Sequence, residues 1–341
     1  MQDGRERIKD VAALAGVSTA TVSRALTRPD LVNAATREAV AAAIAATGYR
    51  PNHAARNLRH RRTGGILALV PNLANPFFSQ ILSGIASVLA PAGYSLLVTD
   101  TTGEGGRAAL DQAEPSRADG LIVLDGGLPA EALARGLPVV TVCEWLPGLE
   151  APRIRIDNAA GAALAVAHLA ALGHRRIGHV LGPAGNVLTA ARLTGTRAAL
   201  AARGLELPDS ALYPGDFGLD SGRAAAGRWL AQSEAMRPTA LFLQSDAMAC
   251  GFIGEVLHHG LQVPRDVSVV GFDDIELAAH ISPPLTTIRQ PRVALGRMAA
   301  ERLLARLAGQ TDGADTILPV ELVVRASTAP PPLRRPAKPA L

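Results

Sequence analysis

From residue 65 onward the chain alternates short apolar runs with longer stretches of helical period, and this alternation limits the fold more than any other feature. Apolar runs at 66–70, 95–98, 121–124, 139–142, 177–181, 240–243 and 267–270 are bounded by Gly, Pro or Asp. Segments of helical period, 77–89, 161–172, 192–202 and 247–257 among them, fill most of the gaps. Strands that alternate with helices pair in parallel, because a parallel neighbour needs a crossover long enough to hold a helix. Helices then cover both sheet faces, so the strands read as continuous apolar runs. Seven runs suit two doubly wound units better than one. A small-ligand cleft is expected between them, outside the carboxyl ends of the strands. At 341 residues with 48% hydrophobic content the chain can bury that much core. With only 3% aromatic residues the core must be mostly Ala, Leu, Val and Ile.

The first 64 residues read differently. In IKDVAALAGVSTATVSRAL (8–26), Val11 and Leu14 predict one apolar helix face, and Val22 with Leu26 a second. Gly16 and Val17 supply the turn between them, and Ser18 is placed to cap the second helix. Thr19, Ala20, Thr21, Ser23 and Arg24 then face outward, small, polar or cationic groups suited to base edges and phosphates. NAATREAVAAAIAAT (33–47) predicts a third helix, capped by Asn33 and ended by Gly48. The expected core of this small all-α unit is Val11, Val17, Val22, Leu26, Val40 and Ile44. PNHAARNL (51–58) reads as one or two helical turns carrying Arg56, and RHRRTG (59–64) as a basic connector. An isolated helix that short is unstable in water, so it is expected to order on DNA. Charge follows the same division: residues 1–63 carry 11 Lys/Arg against 5 Asp/Glu, whereas residues 64–328 carry 20 against 25. The last 13 residues add three Lys/Arg and no acid, and the larger basic excess, at the helical end, is what phosphate neutralisation requires.

Several classes are disfavoured. Two cysteines, Cys143 and Cys250, are too few for a disulfide scaffold, and no Cys/His set has zinc-site spacing. No cofactor or metal is expected. The polar N-terminus and the lack of an 18-residue apolar span predict a cytoplasmic protein with no membrane partner. GxSxG, HExxH, Walker and GxGxxG signatures are missing, which argues against an enzyme. The core alone permits a periplasmic-type ligand-binding protein without DNA binding, but the basic helical end speaks against it. The tail APPPLRRPAKPAL (329–341) is expected to be disordered.

Five ordered segments, GVSTATVSRAL (16–26), GYRPNHAARNLR (48–59), PNLANPFFSQILSGI (71–85), DNAAGAALAVAHLAALGHRRIGHV (157–180) and VPRDVSVVGFDDIELAAHISPPLTTIRQP (263–291), closely resemble the LacI/GalR family of bacterial transcription regulators. STATVSRAL, the Cys143-Glu144 pair, GDF at 215–217 and Ser245-Asp246 resemble its cytidine-repressor branch most. The resemblance implies a helix-turn-helix head (1–50), a hinge helix and linker (51–64), and an α/β core (65–328) of two doubly wound parallel-sheet subdomains like those of periplasmic binding proteins. The N-subdomain would take about 65–160 and 291–320, the C-subdomain 161–290 and 321–328, with crossings near 158–163, 288–291 and 318–322. It implies a homodimer, or a tetramer, on pseudo-palindromic double-stranded operator DNA.

By the same resemblance Thr19 and Ala20 read bases, Arg24 reaches a base or a phosphate, and Thr21, Ser23, Thr36 and Asn52 hold phosphates. Leu58 would insert into the minor groove and kink the operator. In the cleft Phe78 and Phe217 would sandwich a planar or sugar-like effector, and Arg192, with Thr194 beside it, would donate to its oxygens. Asp273 would accept from hydroxyls, Asp125 and Glu144 would line the same cleft, and Asp246 and Asp274 would cap helices. Ser245 would also contact the effector, and it stands where sugar-responsive members commonly carry Asn, which favours a nucleoside such as cytidine over a hexose. A sugar or a purine base is the alternative effector. His168, His174 and His179 are expected to be structural.

Overall fold

The computed structural model of the protein describes residues 7–49, 62–103, 105–133, 136–310 and 315–331. The chain divides into two compact units, Met1–Thr63 and Gly64–Leu341. The first holds α1 (Ile8–Leu14), α2 (Thr19–Thr27) and α3 (Ala34–Thr47). Local chemistry sets their ends. Ser18 Oγ accepts the Thr21 amide at 3.1 Å, and Asn33 Oδ1 accepts the Thr36 amide at 2.8 Å. Gly48 closes α3 in the left-handed region at φ +66°. Val11, Ala12, Val22, Val40 and Ala43 are buried, with Val17, Ala25 and Ile44 packed around them. Leu26, expected in this core, is 40% exposed, and Leu14, expected on the apolar face of α1, is 59% exposed. Val22 and Ala25 make the buried face of α2, and Leu26, one residue further round the helix, falls outside it.

The second unit contains two six-stranded sheets. The first has the order β11-β5-β4-β3-β1-β2, from β1 (Gly65–Val70), β2 (Ser95–Asp100), β3 (Gly120–Val123), β4 (Val139–Val142), β5 (Arg153–Ile156) and β11 (Thr316–Leu318). The second has the order β12-β10-β9-β8-β6-β7, from β6 (Ile177–Val180), β7 (Leu212–Tyr213), β8 (Ala240–Leu243), β9 (Ser268–Asp273), β10 (Thr286–Arg289) and β12 (Glu321–Val323). Every pairing is parallel except β10 with the edge strand β12. The run at 95–98 becomes the edge strand β2, which leaves Leu97 and Val98 substantially exposed.

Helices α4 (Phe77–Leu89), α5 (Gly105–Gln112), α6 (Ala130–Leu133) and α11 (Arg292–Leu307) accompany the first sheet. Helices α7 (Asn158–Ala171), α8 (Val187–Ala201), α9 (Leu219–Ala231) and α10 (Asp246–His258) accompany the second. The α4–α11 contact is unusually close because both sides offer a glycine. A Cβ on Gly84 would sit 2.3 Å from the Val293 carbonyl oxygen, and one on Gly296 would sit 2.0 Å from that of Ile81.

The chain passes between the sheets after β5, after β10 and between β11 and β12. The first passage lies at Asp157, before the expected 158–163, because Asp157 Oδ1 already caps α7 through the Ala160 amide at 2.9 Å. The folded part also runs past 328. The Ala329 amide donates to Ser268 Oγ at 3.0 Å, and its carbonyl lies 2.9 Å from His174 Nε2. The expected disordered tail therefore does not begin at 329, and residues 332–341 lie outside those described. No helix among the described residues is long and apolar enough to cross a membrane.

Candidate functional site

In the first unit the start of α2 presents Thr19, Ala20 and Arg24 at the surface. Thr21 and Ser23 flank the buried Val22 and are half-buried. The Thr21 hydroxyl lies 2.9 Å from that of Ser18. Thr36, in the first turn of α3, is half-buried. Asn52, Arg56 and Leu58 lie outside the described residues.

In the second unit the candidate side chains gather beyond the carboxyl ends of the strands. Four non-glycine residues among those described have positive φ: Cys143 at +64°, Phe217 at +69°, Asp273 at +124° and Asp274 at +54°. All four follow or end a strand, at β4, β7 and β9. Such backbone is costly for residues with a Cβ and concentrates at sites where a side chain must be aimed.

Arg192 on α8 is the centre of the cluster and is almost fully buried. Its Nε donates to Asn158 Oδ1 at 2.9 Å and its Nη1 to the Gln244 carbonyl at 2.5 Å. Its guanidinium carbon lies 3.8 Å from the Phe272 ring centre and 5.6 Å from that of Phe217. Part of the donor fork expected for a ligand is thus engaged within the protein. Asp273 is buried beside it and accepts from Gln290 Nε2 at 2.7 Å. Burial pushes the Asp273 carboxyl up to about 6, against the pull of the Arg192 charge.

The other sheet supplies Asp125 and Glu144. Asp125 accepts from the Thr101 hydroxyl at 2.5 Å. Glu144 accepts from the Gly126 amide at 2.8 Å, and its carboxyl is pushed up by burial, opposed by the nearby Asn186 side chain at the head of α8 and by the Gly126 amide. Phe78 stands in the first turn of α4, buried, with its ring edge-on to Phe77 at 5.1 Å.

Four expected roles change. Thr194 is exposed and donates back to the Ala190 carbonyl at 2.9 Å, because two residues from Arg192 on a helix is nearly the opposite face. Ser245 is 2% exposed, caps α10 through the Met248 amide at 3.1 Å and donates to the Phe217 carbonyl at 3.0 Å. It therefore holds the Phe217 loop and its hydroxyl is not turned to a ligand. Asp246 does not cap α10. It is fully buried, accepting from Thr287 Oγ1 and the Ile275 amide. Asp274 caps nothing and pairs at 2.6 Å with both Arg289 and Arg325.

The histidines bond within the fold, His168 to Thr328, His174 to Thr239 and His179 to Gln244. Asn158, Gln244, Phe272 and Gln290 belong to the cluster and escaped the sequence reading. Only Phe272, adjacent to Asp273 in GFDD, carried a local signal.

Residues 7–52 match the family model described as bacterial regulatory proteins, lacI family, and residues 166–328 the periplasmic binding protein-like domain. The chain is 39% identical over 334 residues to the HTH-type transcriptional repressor CytR of Escherichia coli (strain K12), covering 96% of this chain and 97% of that one.

The chain belongs to the LacI family of bacterial regulatory proteins.

It is 37% identical over 311 residues to the ribose operon repressor of Escherichia coli (strain K12), covering 89% of this chain and 94% of that protein. Among solved structures it is similar to the lac repressor dimer bound to operator and the anti-inducer ONPF. There the TM-score is 0.80 and the identity 32%, with coverage of 95% of this chain and 99% of that one. The chain is accordingly a DNA-binding transcriptional repressor of the LacI family with a ligand-binding core, and its relatives are regulators rather than enzymes.

Proposed function

We propose that this repressor binds a pseudo-palindromic operator as a dimer, and that a nucleoside such as cytidine, held in the cleft of the core, sets its affinity for DNA. The observation that carries the ligand reading is the Arg192 cluster. A flat aromatic ring, Phe217, and a buried carboxyl, Asp273, both lie near one guanidinium. A nucleoside offers a planar base for the ring and a ribose diol for the carboxyl. Asp125 and Glu144 supply further acceptors from the facing sheet. The resemblance to the cytidine-repressor branch supports the same ligand. In the head, Thr19 and Ala20 would meet base edges, Arg24 a base or a phosphate, and Thr21, Ser23, Thr36, Asn52 and Arg56 would meet or flank phosphates, with Leu58 at the minor groove. Leu97 and Val98, exposed on β2, supply apolar surface for a second copy.

The effector need only favour one arrangement of the core over another to change operator affinity. The test is a titration of the full chain against its own upstream DNA at stated salt, with and without cytidine. A shift in operator affinity of about fivefold or more, in either direction, supports the reading. A shift given by ribose and not by cytidine replaces it with a sugar-responsive regulator, which the similarity to the ribose operon repressor makes the second reading.

A further inference from the structure

The two charged side chains at the centre of the cleft are each held by a buried amide from a segment that joins the two sheets. Arg192 Nε donates to Asn158 Oδ1 at 2.9 Å, and Asn158 is the first residue of α7, directly after the passage at Asp157. Asp273 Oδ1 accepts from Gln290 Nε2 at 2.7 Å, and Gln290 lies in the passage between β10 and α11. Both amide residues are buried, Asn158 at 4% exposure and Gln290 also at 4%.

The Arg192–Asn158 bond has a rigid backing. Helix α8 lies so close to α7 that a Cβ on Gly195 would sit 2.3 Å from the Ala159 carbonyl oxygen. Arg192 cannot swing toward a ligand by moving its helix. It can change partners only by trading the Asn158 and Gln244 acceptors. Its guanidinium plane is further fixed over Phe272 at 3.8 Å. A ligand that draws on Arg192 therefore acts on the residue that opens the first connection between the sheets.

We propose that Asn158 is a positioning residue which holds Arg192 through its side-chain oxygen and so couples ligand occupancy of the cleft to the first inter-sheet connection. This rests on the reading of the cleft as the effector site. Asn158 is not proposed to touch the ligand. Its oxygen aims the guanidinium and passes the change in that hydrogen bond to Asp157 and β5. A side chain that merely filled space there would affect stability and nothing else.

The test compares the full-length wild type with Asn158→Ala and Asn158→Asp. Aspartate keeps an acceptor at the position of Oδ1. Should Asn158→Ala not fold, Asn158→Ser, whose oxygen stops one bond short, takes its place. Two quantities are read: cytidine affinity by calorimetry, and the ratio of operator affinities without and with cytidine. The expected result is a ratio reduced about fivefold or more in Asn158→Ala, with weaker cytidine binding, and both retained within about twofold in Asn158→Asp. A ratio in Asn158→Ala equal to that of the wild type overturns the proposal, whatever happens to thermal stability. So does an Asn158→Asp variant as impaired as the alanine. A wild-type ratio that responds to ribose or hypoxanthine in place of cytidine overturns only the nucleoside reading, and the same comparison is then read with that probe. A wild type that responds to none of the three overturns the effector-site reading and this proposal together.

Discussion

The Thr287 hydroxyl donates to Asp246 Oδ1 at 2.5 Å, and both side chains are fully buried. The bond ties β10 to the first turn of α10 beneath the ligand cluster. Burial, and then the neighbouring Asp273, raise the Asp246 carboxyl well above the usual range, so this acid depends on its donors. Thr287→Val keeps the shape and removes the donor, leaving only the Ile275 amide at 2.9 Å. We expect a loss of about 1–3 kcal/mol in the unfolding free energy of the core by urea titration. A loss below about 0.5 kcal/mol would show that the bond contributes no net stability.

Asp273 gives a pH dependence of definite sign. Its folded-state carboxyl is raised to about 6 from an ordinary value of 3.8. Between those values the native state holds the proton more tightly than the unfolded chain. Its contribution is therefore fully present at low pH and is lost as the pH rises through that window. Asp273→Asn keeps an oxygen for Gln290 and removes the titration. Because Asp273 also raises the neighbouring Asp246, the difference between the two proteins reports Asp273 together with that coupled carboxyl. The variant should gain stability relative to wild type as the pH rises from about 4 to 6, measured by denaturant unfolding at several pH values. A constant difference across that range would contradict the assignment.

The glycines separate close packing from mere flexibility. Gly296→Ala places a Cβ 2.0 Å from the Ile81 carbonyl oxygen, so α4 and α11 must separate. We expect a cost of about 1–3 kcal/mol or more, seen as a lowered Tm. Gly227 on α9 and Gly254 on α10 are exposed, and a Cβ at either meets nothing within 4 Å. There alanine should raise stability by about 0.5–1 kcal/mol through helix propensity. Opposite signs at these positions, in one calorimetric series, are the expected pattern.

What could be read from sequence was whatever local chemistry decides. Ser18, Asn33 and Gly48 set helix ends within three or four residues, and the strand–helix alternation set the parallel sheets. The short strands β7, β11 and β12 carry two or three residues each, too few to show a pattern. Leu26 sits at helical spacing from Val22 yet stays exposed, because spacing does not say to which side of Val22 the core lies, and here it lies toward Ala25. The amides around the ligand cluster were the least legible. Asn158 is 34 residues from Arg192, and Gln244 is 52 residues away. Asn, Gln and Ser carry no periodic signal, so only the topology that brings the strand ends together gives them a role. Ser245 was misread for the same reason, since its partner, Phe217, lies 28 residues earlier.

The head and hinge make separable contributions to DNA binding under the proposed function. Arg24 is an exposed cation on α2, so Arg24→Ala should remove either a phosphate contact or a base contact. A lost phosphate contact weakens binding to all sequences and lowers the salt slope by about one. A lost base contact instead costs about 1–3 kcal/mol on the operator alone and relaxes specificity at one position. Leu58→Ala removes no charge, so the salt slope should stay as in wild type. If the leucine wedges a base step open, operator affinity and DNA bending should fall together while cytidine affinity in the core is unchanged. Operator titrations over a salt series, with a bending assay on the same fragment, separate these outcomes. Unchanged operator affinity in Leu58→Ala would remove the minor-groove role and leave recognition to the residues of α2.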